Sequence, residues 1–170
     1  LVALFLCPEL HPWRMGGEEI HGHFKQLWLD GPFFLARSVA YVLLWTVLAR
    51  GLVALSRRQD LDGDVAHTSR LTARSARFLL IFGFSYSLAS FDWVMSRESE
   101  WVSTMFGVYQ FSGLFTAGLA AILISCVLLW RSGILRGIFL DPHQHDLGKL
   151  LFGMASFWFY IWFCQYMLIW

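Results

Sequence analysis

Four apolar stretches of more than twenty residues dominate the chain, at 33–56, 76–96, 101–130 and 147–170. A helix rises about 1.5 Å per residue, so roughly 20 such residues cross the ~30 Å hydrocarbon core of a bilayer. Four stretches of this length within 170 residues leave too little polar sequence to wrap them in water. Composition agrees: 57% of the residues are hydrophobic and 15% charged, against roughly a quarter charged in a soluble domain. Nine Trp, sixteen Phe and five Tyr suit helices that face lipid and headgroups. The expected fold is therefore all-α, a polytopic transmembrane helical bundle forming one membrane domain. Residues 1–7 (LVALFLC) lack a basic leader and read as the tail of a preceding span, and Trp170 falls inside an apolar run. The chain thus reads as an internal fragment with four spans plus the end of an earlier one.

Lys and Arg are retained on the cytoplasmic side of a membrane. Arg57, Arg58, Arg70, Arg74 and Arg77 flank one connection, and Arg131 and Arg136 mark another two spans later. Alternation puts both on one side, and assigns 8–32 and 97–100 to the opposite, periplasm-like face. A net charge of +1 offers no concentrated basic footprint for nucleic acid. Cys7, Cys126 and Cys164 are far apart, and without a CxxC pair the sequence encodes no zinc or iron–sulfur site. QDLDGD at 59–64 lacks the alternating ligands and closing Glu of a calcium loop and reads as a solvated turn.

All six histidines fall in the expected connections rather than within spans, which argues against haem b in this chain. The His21/His23 and His143/His145 pairs read as loop histidines rather than metal ligands. Asp92, about one turn inside the outer end of the second span, is the main candidate for chemistry. A carboxylate at that depth is costly, so it is expected to face the protein interior and to have a partner. Ser85, Ala89, Asp92 and Ser96 share a helical face that suits a polar pocket; capping of the following loop is the structural alternative. Arg37 either snorkels or turns inward, in which case Asp92 or Glu100 is its counter-charge.

Ser103, Gly107 and Gln110 form one stripe of the third span, and Gly113, Ala117, Ala121 and Ser125 a small-residue ridge suited to helix packing. In the last span Lys149, Gly153, Ser156 and Tyr160 recur on one side, behind Asp141, His143, His145 and Asp146 at the cytoplasmic mouth. Asp146, His145, Lys149, Ser156 and Tyr160 in that order suit a proton path. The plainer alternative is that Asp146 favours a helix N-terminus and Lys149 snorkels.

PFFLAR at 32–37, SFDWVMS at 90–96, WVSTMFGVY at 101–109, HDLGKLLF at 145–152, and FW at 157–158 through QYMLIW at 165–170 together resemble the NrfD-like (polysulfide-reductase membrane subunit) family. Within it they are most similar to the ActF subunits of bacterial alternative complex III, the quinone-binding subunit 2 of a quinol:cytochrome c oxidoreductase; the ActC paralogues are the nearest confusable group. The motifs occur in order and cover most of the chain. Glu100 departs from the pattern, since the family is expected to carry His there.

The resemblance implies packed four-helix bundles in the bacterial cytoplasmic membrane and a subunit that holds no metal or cofactor of its own. Quinone or quinol would be the substrate. Partner subunits would include a paralogous NrfD-like subunit and others carrying iron–sulfur clusters and haem c. Quinol oxidation releases two protons with two electrons, so a site needs a proton acceptor, hydrogen bonds to the ring oxygens and aromatic walls. Asp92 and Glu100 are the candidate proton groups, with Trp93, Tyr109 and Gln110 as quinone contacts. Alternatives are a proton-conducting subunit without quinone chemistry, a structural anchor, or a transporter; the last wants broken spans in paired positions, and no Pro lies within the four stretches.

Overall fold

The computed structural model describes residues 27–64, 66–97 and 101–169. They form four α-helices: α1 (Gly31–Asp62), α2 (Ala66–Trp93), α3 (Phe106–Arg131) and α4 (Asp141–Ile169), with a short 3₁₀ turn at Met95–Arg97. No strand occurs among the described residues. Each of the four is long and apolar enough to cross a membrane, so the chain is an all-α, multi-pass membrane protein. The tail expected at 1–7 lies outside the described residues.

The helices divide into two compact units, α1 with α2 and α3 with α4. Asp30 caps α1, its side chain accepting from Phe33 N–H at 3.4 Å, and Pro32 occupies the first turn, where no intrahelical donor is lost. Gly63 ends α1 in the left-handed conformation (φ 67°), its N–H returning to the Gln59 carbonyl. Asp64 then accepts from Ala66 N–H at 2.9 Å, and Gln59 Nε2 donates to Thr68 Oγ1 at 2.7 Å across the turn. Of the acidic sequence at 59–64, expected as a turn, 59–62 form the last turn of α1 and only 63–64 belong to the connection, with the carboxylates exposed.

In the second unit α3 packs on α4 where Gly113 meets Trp158, and Tyr109 stacks on the same indole with ring centroids 5.8 Å apart. The remainder of the expected small-residue ridge, Ala117, Ala121 and Ser125, is exposed.

Helix and apolar stretch do not coincide. α2 begins ten residues before 76 because its first turns, rich in Arg and Ser, are helical yet polar. α4 likewise begins at Asp141 rather than 147, with Pro142 in the first turn and His143 Nδ1 accepting from Leu140 N–H at 3.2 Å. His143 and His145 therefore belong to a helix and not to a connection. Conversely, Trp101 to Met105 are outside any helix, so Ser103 does not share a helical stripe with Gly107 and Gln110. Val102, Ser103 and Thr104 are weak helix formers in succession, in keeping with a helix that starts only at Phe106.

Candidate functional site

α1 contributes Phe34, Ser38, Tyr41 and Trp45 to one face by their spacing of four, three and four residues. α2 opposes them with Ser85, Ala89 and Asp92, all buried. The two faces are joined by indole donors: Trp45 Nε1 donates to Ser85 Oγ at 2.9 Å and Trp93 Nε1 to Ser38 Oγ at 3.0 Å. Each serine hydroxyl in turn donates to its own helix, Ser85 to the Ile81 carbonyl and Ser38 to that of Phe34. The rings pack edge to face, with Trp45 and Trp93 centroids 5.7 Å apart and Tyr41 6.2 Å from Trp93.

At the end of this seam Asp92 is wholly buried, with 0% of its side chain exposed, and Arg37 reaches it from α1 with 12% exposed. The contact is a two-point fork: Arg37 Nη2 donates to Oδ1 at 2.9 Å and Nε to Oδ2 at 3.0 Å. Trp28 Nε1 adds a bond to Oδ1 at 2.8 Å, and the Tyr41 hydroxyl one to Oδ2 at 3.2 Å. The guanidinium also donates to the Trp28 carbonyl at 2.9 Å and lies over the rings of Trp28 and Phe33, 4.0 and 4.5 Å from their centroids.

This is how a membrane helix pair carries a carboxylate at depth. Its charge is cancelled by an adjacent cation, both oxygens are saturated, and the cation rests on aromatic faces. Opening such a buried pair by deleting one partner leaves an uncompensated charge, at a cost of about 3–5 kcal/mol. Ser96 Oγ bonds the Asp92 carbonyl, turning the chain out of α2 into the 3₁₀ turn.

Asp92 does face inward and is partnered, and Arg37 turns in as its counter-charge. On the small and hydroxyl-bearing face of α2, Ser85 is covered by Trp45 and Asp92 by Arg37 and Tyr41, all from α1. Trp93 is half-buried with its N–H committed to Ser38. Tyr109 and the half-buried Gln110 belong to the second unit, where Tyr109 stacks on Trp158. Glu100 lies outside the described residues. His145, Asp146, Lys149, Ser156 and Tyr160 are all exposed on α4, and Lys149 Nζ approaches Asp146 Oδ1 at 4.0 Å. No group of three or more His, Cys, Asp or Glu suited to a metal occurs among the described residues.

Trp28, Phe33, Tyr41 and Trp45 are the site residues that reading ionisable groups alone passes over. The signal for two of them was present: Arg37 and Tyr41 stand four apart on α1, as do Tyr41 and Trp45, so the arginine, phenol and indole neighbour one another along the helix. No family model matches the chain, and no curated protein matches it significantly.

Proposed function

We propose that the chain is an integral-membrane subunit of a quinol-oxidising respiratory complex of the alternative complex III type, located in the bacterial cytoplasmic membrane. In this reading the Arg37–Asp92 cluster is its proton-handling element. The observation that carries it is a fully buried carboxylate within a spanning segment, held by an arginine and a tyrosine. Intramembrane ionisable groups of this kind are costly and mark ion or proton pathways by default. The sequence motifs of the NrfD-like family surround these residues, at 32–37 and 90–96.

Two protons must leave each quinol as its electrons pass to iron–sulfur and haem c centres in partner subunits. Tyr41 is half-buried and makes the longest of the four bonds to Asp92. Its hydroxyl passes its own hydrogen to Oδ2 as it accepts one from the quinol, and the neutral Asp92 then releases that proton to the outer face, restoring the carboxylate that Arg37 holds in place. The paralogous subunit supplies the remaining walls of the quinol site.

A second reading is favoured by one specific observation: both Asp92 oxygens are saturated by donors from this chain. A closed cluster of that kind equally suits a structural anchor without its own quinone or proton chemistry. Asp92→Asn in the assembled complex separates the two. Loss of quinol-driven electron flow and proton release, with subunit stoichiometry intact, supports the first; normal turnover supports the anchor.

A further inference from the structure

At the arginine-rich ends of α1 and α2 the helices part to leave a groove of about 300 Å³. Its lining is apolar apart from Arg74 and Arg77, with Gly51 and Leu52 contributed by α1 and Phe78 and Ile81 by α2. Gly51 leaves the groove open, since a Cβ placed there would meet nothing within 4 Å. Both arginines are exposed, no acidic residue lines the groove, and neither arginine forms an ion pair among the described residues. Arg77 Nε donates to the Ala73 carbonyl, so that guanidinium is tethered to its own helix.

Depth is fixed by helix geometry. Arg37 and Asp92 are ion-paired and so lie level; Gly51 is fourteen residues from Arg37, about 21 Å along α1. Arg74 is eighteen residues from Asp92, about 27 Å along α2. Arg74 therefore stands about 6 Å nearer the headgroups than Gly51, and the groove runs from the arginines toward the acyl region.

The geometry points to a binding site for one anionic phospholipid, its phosphate on Arg74 and Arg77 and an acyl chain lying along Gly51 and Phe78. Charge complementarity selects the headgroup: two cations without a counter-charge favour a phosphate that carries net negative charge over a zwitterionic lipid. Basic pockets between spanning helices bind such headgroups on the side where anionic lipid is enriched. The apolar lining distinguishes a seated lipid from general attraction to the surface.

The test is lipid binding to the purified full protein in neutral detergent, read by native mass spectrometry with phosphatidylglycerol and phosphatidylcholine as probes. Each arginine near an anionic surface contributes about fivefold in affinity, so Arg74→Gln with Arg77→Gln lowers phosphatidylglycerol binding about 30-fold. Arg57→Gln with Arg58→Gln removes the same charge outside the groove and leaves binding unchanged. Gly51→Leu, whose Cβ meets nothing within 4 Å, puts a side chain into the groove and displaces the lipid with the charges intact. Equal loss in both arginine pairs, retention in Gly51→Leu, or equal binding of phosphatidylcholine would each overturn the site. Free glycerol phosphate competing as well as the intact lipid would do so too, since it has no acyl chain.

Discussion

Gly113 on α3 faces the indole of Trp158 on α4 so closely that a Cβ on the glycine would lie 2.9 Å from Nε1. This approach holds the α3–α4 unit together where Tyr109 also stacks. Gly113→Val forces the helices apart or the indole out of its place, and overpacking of this kind costs about 1–3 kcal/mol. Denaturant titration of the detergent-solubilised protein, following Trp fluorescence, measures it. Adding Trp158→Leu returns part of the loss; a variant as stable as the parent would show that the contact is not constraining.

Arg37 and Asp92 are expected to be strongly coupled. Asp92→Leu alone strands a buried guanidinium and Arg37→Met alone a buried carboxylate, each costing about 3–5 kcal/mol. The double variant removes both charges and recovers much of that. A double-mutant cycle on unfolding free energy checks this, and simple additivity of the two losses would refute a paired cluster.

Tyr41→Phe deletes one of the four donors to Asp92 while keeping the ring that packs on Trp93. Stability is expected to fall by about 0.5–1.5 kcal/mol. If Tyr41 relays protons, quinol-driven proton release in the assembled complex falls by a larger factor than this small structural loss explains. Solvent isotope effects on turnover then separate a relay from a packing role.

Gly63→Val is expected to destabilise the turn between α1 and α2 by about 1–2 kcal/mol, because a β-branched residue is disfavoured at φ 67°. Gly63→Asn is milder, since Asn tolerates that conformation. Comparing the two by thermal unfolding in detergent isolates the backbone effect from loss of turn contacts.

The four spans were legible because hydrocarbon thickness imposes a length that few soluble sequences imitate. Asp92 was legible for a related reason: its cost at depth demands a partner, and Arg37 was one of two cations in the preceding span. Helix ends were less so. Hydropathy marks where a helix meets lipid, while α4 extends through Asp141, His145 and Asp146 into polar surroundings, and α3 starts only at Phe106 although the apolar sequence begins earlier. Trp28 escaped because an indole has no charge to explain and this one precedes α1, so nothing in the local sequence flags it as a donor, whereas Tyr41 was marked only by its spacing from Arg37. Their role emerges only when α1 and α2 are set face to face.

Between 6% and 22% of each spanning window is covered by the rest of the chain. Few side chains in these helices are therefore fixed in place by their own chain. Leucine, isoleucine, valine and phenylalanine on the exposed faces are less constrained by their own helix pair than Ser38, Ser85, Ala89 and Asp92, which it buries. Within this helix pair, divergence among descendants should accordingly be slowest along the thin line of the α1–α2 seam.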